Sequence, residues 1–115
     1  MYDSPASNRA AWQADSQDPA KAEAVRQALR EIVDPEIGLN IIELGLIRDL
    51  DLQPNQTNVR MILTTPFCPY GPALIDETRK KITVASGAPA AIEMSAEMWE
   101  PSMMEEGAGA DWGLF

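Results

Sequence analysis

Two stretches of the chain have apolar residues at the three- and four-residue spacing of an amphipathic helix. The first covers residues 18–33, opens on an Asp-Pro pair that suits a helix start, and is stopped by a second Asp-Pro pair. The second covers residues 71–86 and is followed by Gly87, a residue that often ends helices. We therefore predict two helices in this chain.

Apolar and polar residues alternate in three further stretches, as in strands with one buried face. They are residues 46–53, residues 58–65 after a short polar turn, and residues 90–99. The resulting order is helix, strand, strand, helix, strand. This order predicts an α+β fold, a two-layer α/β sandwich in which both helices cover one face of a three-stranded mixed sheet.

The ends of the chain differ from each other in character. Residues 1–17 are polar and alanine-rich, so we predict a flexible N-terminal tail, with docking of Trp12 as the alternative. Residues 18–115 are predicted to form a single domain. Within it, residues 100–115 are too apolar for a free segment, and we expect them to pack on the domain or on a partner.

Composition restricts the chemistry that the chain can perform. A length of 115 residues suits one domain, and a net charge of −9 disfavours nucleic acid and anionic membranes as partners. With no histidine, serine and cysteine nucleophiles have no imidazole base. We see no leader or membrane span and expect a cytoplasmic protein.

Cys68, the only cysteine, lies between the second strand and the second helix in "TTPFCPYGPAL". A helix start lowers the pKa of a nearby thiol, so Cys68 is a candidate reactive thiol or metal ligand, although a buried cysteine of no special role is the plain alternative. A phosphatase loop would need arginine at position 74, which is leucine, and a dithiol site would need cysteine at position 71, which is glycine. A one-thiol redox site like that of monothiol glutaredoxins and a cluster ligand shared between chains both stay open.

A second polar cluster, Asp34 and Glu36, flanks Pro35 after the first helix. If the sheet brings this loop near Thr64 and Thr65, oxygen donors and one thiolate would meet, a set that can hold a transition metal. The alternative is an ordinary helix stop and a solvated turn.

Three segments, "DPEIGLNIIELGLI", "LTTPFCPYGPALIDETRKKI" and "MWEPSMMEEGAGADWGLF", together resemble the SufT/PaaD-like family of small iron-sulfur cluster assembly domains. The resemblance covers about residues 20–115 and implies that family's α/β assembly fold. Its motif positions in this chain are Asp34, Pro35, Glu36, Gly45, Thr64, Thr65, Pro66, Cys68, Pro69, Trp99 and Pro101.

The resemblance implies an accessory factor in iron-sulfur cluster assembly, not an enzyme, that carries clusters or helps transfer them through Cys68. We expect Asp34 and Glu36 to assist, and Pro35, Thr64, Thr65, Pro66 and Pro69 to shape the loops. The cofactor would be an iron-sulfur cluster or iron, held transiently and shared between chains of a homodimer or with a partner. Partners would be scaffold or carrier proteins and client apoproteins, contacted through Trp99, Met103, Met104 and Trp112. A monothiol redox protein and a metal-free adaptor are the alternatives.

Overall fold

The computed structural model describes residues 11–35, 37–65 and 69–104. Along the chain these form α1 (Ala14–Gln17), α2 (Pro19–Leu29), β1 (Ile47–Leu52), β2 (Thr57–Met61), α3 (Gly71–Ser86), β3 (Ala90–Met94) and a 3-10 turn (Pro101–Met103). The predicted order of helix, strand, strand, helix, strand is confirmed, with the short α1 added before it.

The sheet has the strand order β1-β2-β3, with β2 in the centre. β1 and β2 are antiparallel, whereas β2 and β3 are parallel and are joined through α3. Along β2 the buried Thr57, Val59 and Met61 alternate with the exposed Asn58 and Arg60, so one face packs on the core and the other faces solvent. The predicted mixed, three-stranded α+β architecture is confirmed.

α2 and α3 pack against each other and, with the inner face of the sheet, enclose the core. α2 ends at Leu29 rather than near Val33, because the chain tightens into turns there, with Glu31 N–H bonded to the carbonyl of Ala28. Val33 is consequently exposed instead of buried. The fully buried apolar residues of the core are Ala14, Ala22, Val25, Leu29, Ile41, Leu44, Leu46, Leu50, Met61, Ile82 and Met104.

The prediction of a flexible tail is wrong for residues 12–17. Trp12 is 4 % exposed and its indole N–H donates to the Ile47 carbonyl at 3.1 Å, while residues 14–17 form α1. The apolar spacing of the first helix leaves Arg26 on its polar side, but the Arg26 guanidinium is buried over the Trp12 ring at 3.9 Å and pairs with Asp15 at 2.7 Å. Trp12 and Ala14 therefore join the core, while the polar side chains of this segment stay at the surface.

α1 also covers the outer edge of β1. The Gln17 side chain accepts from the Leu52 N–H at 2.8 Å and donates to the Asp51 carboxylate at 2.7 Å. One turn earlier, the Gln13 side chain donates to the Asp49 carboxylate at 2.6 Å. These bonds satisfy edge groups that would otherwise be open to another strand.

β1 contains an irregularity between Ile47 and Asp49, so Arg48 is the inserted residue and the simple alternation expected for this strand is interrupted. β2 ends at Met61 rather than Thr65, since the Ile62 N–H turns to the carbonyl of Leu46. Within the described ranges, no helix is both long and apolar enough to span a bilayer.

Candidate functional site

The predicted site residues fall in two parts of the chain: Asp34, Pro35 and Glu36 come between α2 and β1, and the others follow β2 and β3. Because β2 and β3 are parallel, their carboxyl ends lie at the same end of the sheet. Ligand sites in α/β folds usually lie at the carboxyl ends of the strands. After β2 the chain passes through Thr64 and Thr65, both half-buried, and resumes at the exposed Pro69. Cys68, Pro66 and Glu36 lie outside the described residues.

The start of α3 is packed closely against the segment that follows β2. A Cβ at Gly71, the first residue of α3, would lie 2.9 Å from the Cδ1 atom of Leu63. The N-cap residue, Tyr70, makes no capping hydrogen bond with its side chain. A helix therefore begins just after the cysteine loop, as the sequence predicts, and its first residue packs closely on Leu63.

A cavity of ≈ 490 Å³ lies between the segments that follow β2 and β3. Thr64 and Glu97 are among its lining residues, most of which are apolar. Its lining residues are Ile62, Leu63, Thr64, Ile75, Met94, Ser95, Ala96, Glu97, Met98 and Trp99.

Asp34 is a buried part of a tight turn, with 1 % of its surface exposed. Its backbone N–H donates to the Leu39 carbonyl, and its carbonyl accepts from the N–H groups of Ile37 and Gly38. Pro35 beside it is exposed. The interpretation of Asp34 as a stop for α2 is wrong, because that helix ends earlier and the carboxylate is inside the fold.

Asn40 and Glu43 form a reciprocal turn cap after this loop. The Asn40 side chain accepts from the N–H groups of Ile42 and Glu43, and the Glu43 carboxylate accepts from the Asn40 N–H at 2.9 Å. The turn then joins the end of β2, since Leu46 bonds to both Ile41 and Ile62 through its backbone. Backbone hydrogen bonds through the turn at residues 41–46 therefore join the Asp34 loop to the segment that leads to Cys68.

The segment after β3 folds back across this turn. The Trp99 indole N–H donates to the Leu44 carbonyl at 2.7 Å. Gly45 has φ +74°, and a Cβ there would overlap the carbonyl oxygen of Met103. These contacts give Gly45, a position of the resemblance, a structural reason that the sequence pattern alone does not supply.

The proposed partner contacts need correction for this segment. Met104 is fully buried, and Trp99 and Met103 are half-buried against the core, because the 3-10 turn at residues 101–103 directs them inward. Met98, by contrast, is 77 % exposed. Trp112 lies outside the described residues.

Glu97, which lines the cavity, forms an ion pair with Arg48. The Arg48 Nε atom lies 3.6 Å from Glu97 Oε1, and its guanidinium donates to the Gly45 carbonyl at 2.9 Å. Arg60 approaches the same carboxylate oxygen at 4.0 Å. The position of Arg48 among the leucines of the first strand allows two interpretations, a side chain that reaches solvent at the sheet edge, which the pattern favours, and one that pairs with a nearby carboxylate. The structure shows the pairing, with Glu97.

No group of three or more acidic or thiol side chains able to hold a metal occurs among the residues that the structure describes. Of the predicted carboxylate and thiol donors Asp34, Glu36 and Cys68, Asp34 alone lies within the described residues. The described part of the site thus consists of a buried carboxylate, two threonines, a helix start and an apolar cavity.

Residues 22–94 match the family model described as iron-sulfur cluster assembly protein. This match includes the Asp34 loop, all three strands and the cysteine loop. The chain belongs to this family. The resemblance to SufT-like assembly domains is confirmed.

Curated relatives agree with this membership. A Porphyromonas gingivalis Fe-S protein maturation auxiliary factor is 34 % identical over 95 residues, which are 80 % of this chain and 90 % of the relative. The Bacillus subtilis Fe-S protein maturation auxiliary factor YitW is 39 % identical over 55 % of this chain and 63 % of its own length. A Synechocystis iron-sulfur cluster carrier protein is 31 % identical over 56 % of this chain but only 18 % of its own length.

A solved structure confirms the fold. The Bacillus anthracis domain of unknown function DUF59 superposes with a TM-score of 0.74, covering 87 % of this chain and 98 % of that one, at 20 % identity. The similarity at this identity concerns the architecture alone.

Proposed function

We propose that this protein is an accessory factor that carries iron-sulfur clusters, or helps transfer them, to target proteins through Cys68. The observation that carries the proposal is the family match over residues 22–94, which contains the chain's single thiol. The relatives named as maturation auxiliary factors and as a cluster carrier support the same role.

The chemistry of the thiol supports a cluster that is shared. Iron-sulfur clusters are usually held by four thiolates, and this chain has one cysteine. The remaining ligands would come from a second copy, a scaffold or carrier protein, or a client apoprotein. A cluster held by few ligands from each chain exchanges more readily than one enclosed by a single chain, which suits delivery.

We further propose Asp34 and Glu36 as oxygen donors beside Cys68. The burial of Asp34 supports a role within the fold, because a carboxylate leaves water only where polar groups or a metal compensate its charge. Thr64 and Thr65 are half-buried in the segment leading to Cys68, and Pro35, Pro66 and Pro69 limit the backbone freedom of the two loops. The cluster or iron is the cargo that these residues would hold.

Anaerobic reconstitution with iron and sulfide tests the thiol ligand directly. The unchanged chain is expected to develop the visible absorption of a cluster and to retain iron through gel filtration, with a mass that reports whether chains share the cluster. Cys68→Ser is expected to lose both signals. Retention of the full iron content by Cys68→Ser would reject the thiol as a ligand.

A matched control separates the position of the thiol from its mere presence. Ser16 is exposed on α1, which packs on β1 at the other edge of the sheet. The double variant Cys68→Ser with Ser16→Cys restores one thiol there, and we expect it to stay without a cluster. Thermal unfolding of each variant confirms that the fold is kept.

A further inference from the structure

The two edge strands of the sheet, β1 and β3, differ in how far other residues cover them. On β1, the edge is covered by α1, whose Gln17 side chain occupies the Leu52 N–H. On β3, the described residues provide no comparable cover: the strand pairs with β2 alone. Edge strands that are not covered, charged or broken by proline can bind another strand.

The register shows which backbone groups of β3 point outward. The Pro89 carbonyl accepts from the Thr57 N–H at 2.9 Å, and the Ser95 N–H donates to the Met61 carbonyl at 2.8 Å. In a parallel ladder alternate residues face the neighbouring strand, so the odd-numbered positions of β3 bond to β2. The N–H and C=O groups of Ile92 and Met94 therefore face away from β2.

The first outward position is already used. The Ala90 N–H donates to the Thr83 hydroxyl of α3 at 3.0 Å. The edge available for pairing thus begins at Ile92 and continues through Met94 to the ≈ 490 Å³ cavity, which Met94 and Met98 line. Met94 is 42 % exposed, so a segment paired there would find an apolar surface directly beside the strand.

Acidic side chains outnumber basic ones around this edge. Glu93, Glu97 and Glu100 are all exposed along and just after β3, whereas the nearby basic groups are Arg48 and Arg60, which both approach Glu97. The whole chain has a net charge of −9. A second copy would bring the same negative charge to the interface. An extended segment with basic ends complements it, and alternate apolar side chains suit the cavity.

We propose that β3 is a docking edge for an extended segment of a partner protein, apolar at alternate positions and basic at its ends, which adds as a strand beside Ile92 and Met94. That the partner is a component or client of cluster assembly rests on the proposed function. The docking edge itself is independent of cluster binding, so the experiment below uses the cluster-free chain and can fail or succeed separately from reconstitution.

Amide hydrogen exchange measured by NMR tests the edge at single residues. The probe is a synthetic octapeptide with leucine and valine at alternate positions and lysine at both ends. In the free chain we expect fast exchange at Ile92 and Met94 and slow exchange at Glu93 and Ser95, which bond to β2. Saturating peptide should slow Ile92 and Met94 by about tenfold or more and leave Ser95 unchanged.

Four results would overturn the proposal. Slow exchange of Ile92 and Met94 in the free chain at every concentration would mean that the chain covers its own edge, for example with residues 105–115. Protection that appears only at high protein concentration would assign the edge to a second copy. Equal binding of a peptide with glutamate ends, or binding without protection of these amides, would also reject it.

Two substitutions at one position separate backbone pairing from folding. Met94→Pro removes the outward N–H while leaving the Ser95 bond to Met61 in place, and should abolish protection at the edge. Met94→Lys keeps the N–H but adds a positive charge, and should weaken the binding of the lysine-ended peptide by about tenfold. Val84→Lys, on an 85 % exposed position of α3, is the matched control and should bind as the unchanged chain does.

Discussion

At the scale of single residues, Gly45 and Gly38 show how different reasons lead to the same residue type. Both have positive φ, +74° and +85°, a conformation that side chains with a Cβ rarely adopt. At Gly38 no atom lies within 4 Å of the place that a Cβ would occupy, whereas at Gly45 that place overlaps the backbone of Met103. Gly45 is therefore required by packing as well as by conformation.

Alanine substitution at the two glycines should give clearly different losses of stability. We expect Gly38→Ala to cost about 1–2 kcal/mol from backbone strain alone. Gly45→Ala should cost at least about 2 kcal/mol more, because the C-terminal segment must move away from the turn. Urea unfolding of both variants measures the difference, and equal losses would show that Met103 does not press on Gly45.

At the scale of elements, α1 is held to the sheet through hydrogen bonds between glutamines and aspartates. Hydrogen bonds from the side chains of Gln17 and Gln53 lower the pKa of Asp51 below its ordinary value. A carboxyl group with a lower pKa in the folded state stabilises the fold above its unfolded pKa, near 4. That contribution is lost as the pH falls through the folded pKa.

The lowered pKa of Asp51 provides a test of the contact between α1 and β1. Gln17→Met removes the first of these donors without adding a titrating group, so the pKa of Asp51 should rise toward its ordinary value. NMR titration of the Asp51 carboxyl group measures the change directly. An unchanged titration curve in Gln17→Met would show that the α1 contact does not reach Asp51 in solution.

α1 also shows which kind of element a sequence pattern does not predict. The long helices and the three strands were predictable because each repeats its apolar spacing over several turns or pleats. α1 has four residues and no such period, and helices that short depend on tertiary contacts, here Trp12 and Gln17. Arg26 was assigned to the polar face because a pattern cannot show that its charge is paired with Asp15 over an indole ring.

The site likewise has some features that the sequence predicts and others that depend on contacts between distant residues. The position of the cysteine loop between β2 and α3 could be predicted from the order of elements along the chain. The bond from Trp99 to Leu44 joins residues that are 55 positions apart, and the cavity depends on how the segments after β2 and β3 face each other. Neither has a local signature, so the sequence left open whether Met104 packs on the domain or on a partner, and the structure shows that it packs on the domain.

At the scale of the whole molecule, the fold places the segment after β2, the apolar cavity and the proposed docking edge of β3 at neighbouring positions. The cavity lies between the segments after β2 and β3, and both Thr64 and Met94 line it. A partner strand bound to β3 would therefore lie near Thr64, in the segment that leads to Cys68. Such an arrangement suits a protein that passes a cluster to the partner it holds.

The measurement that tests this account most directly is anaerobic cluster transfer from the reconstituted chain to a plant-type apo-ferredoxin, followed by the circular dichroism of the ferredoxin cluster. We expect transfer from the unchanged chain to be faster than from equal amounts of free iron and sulfide, and Cys68→Ser, treated in the same way, to match the free ions. Transfer by Cys68→Ser at the rate of the unchanged chain would contradict the central role of this thiol.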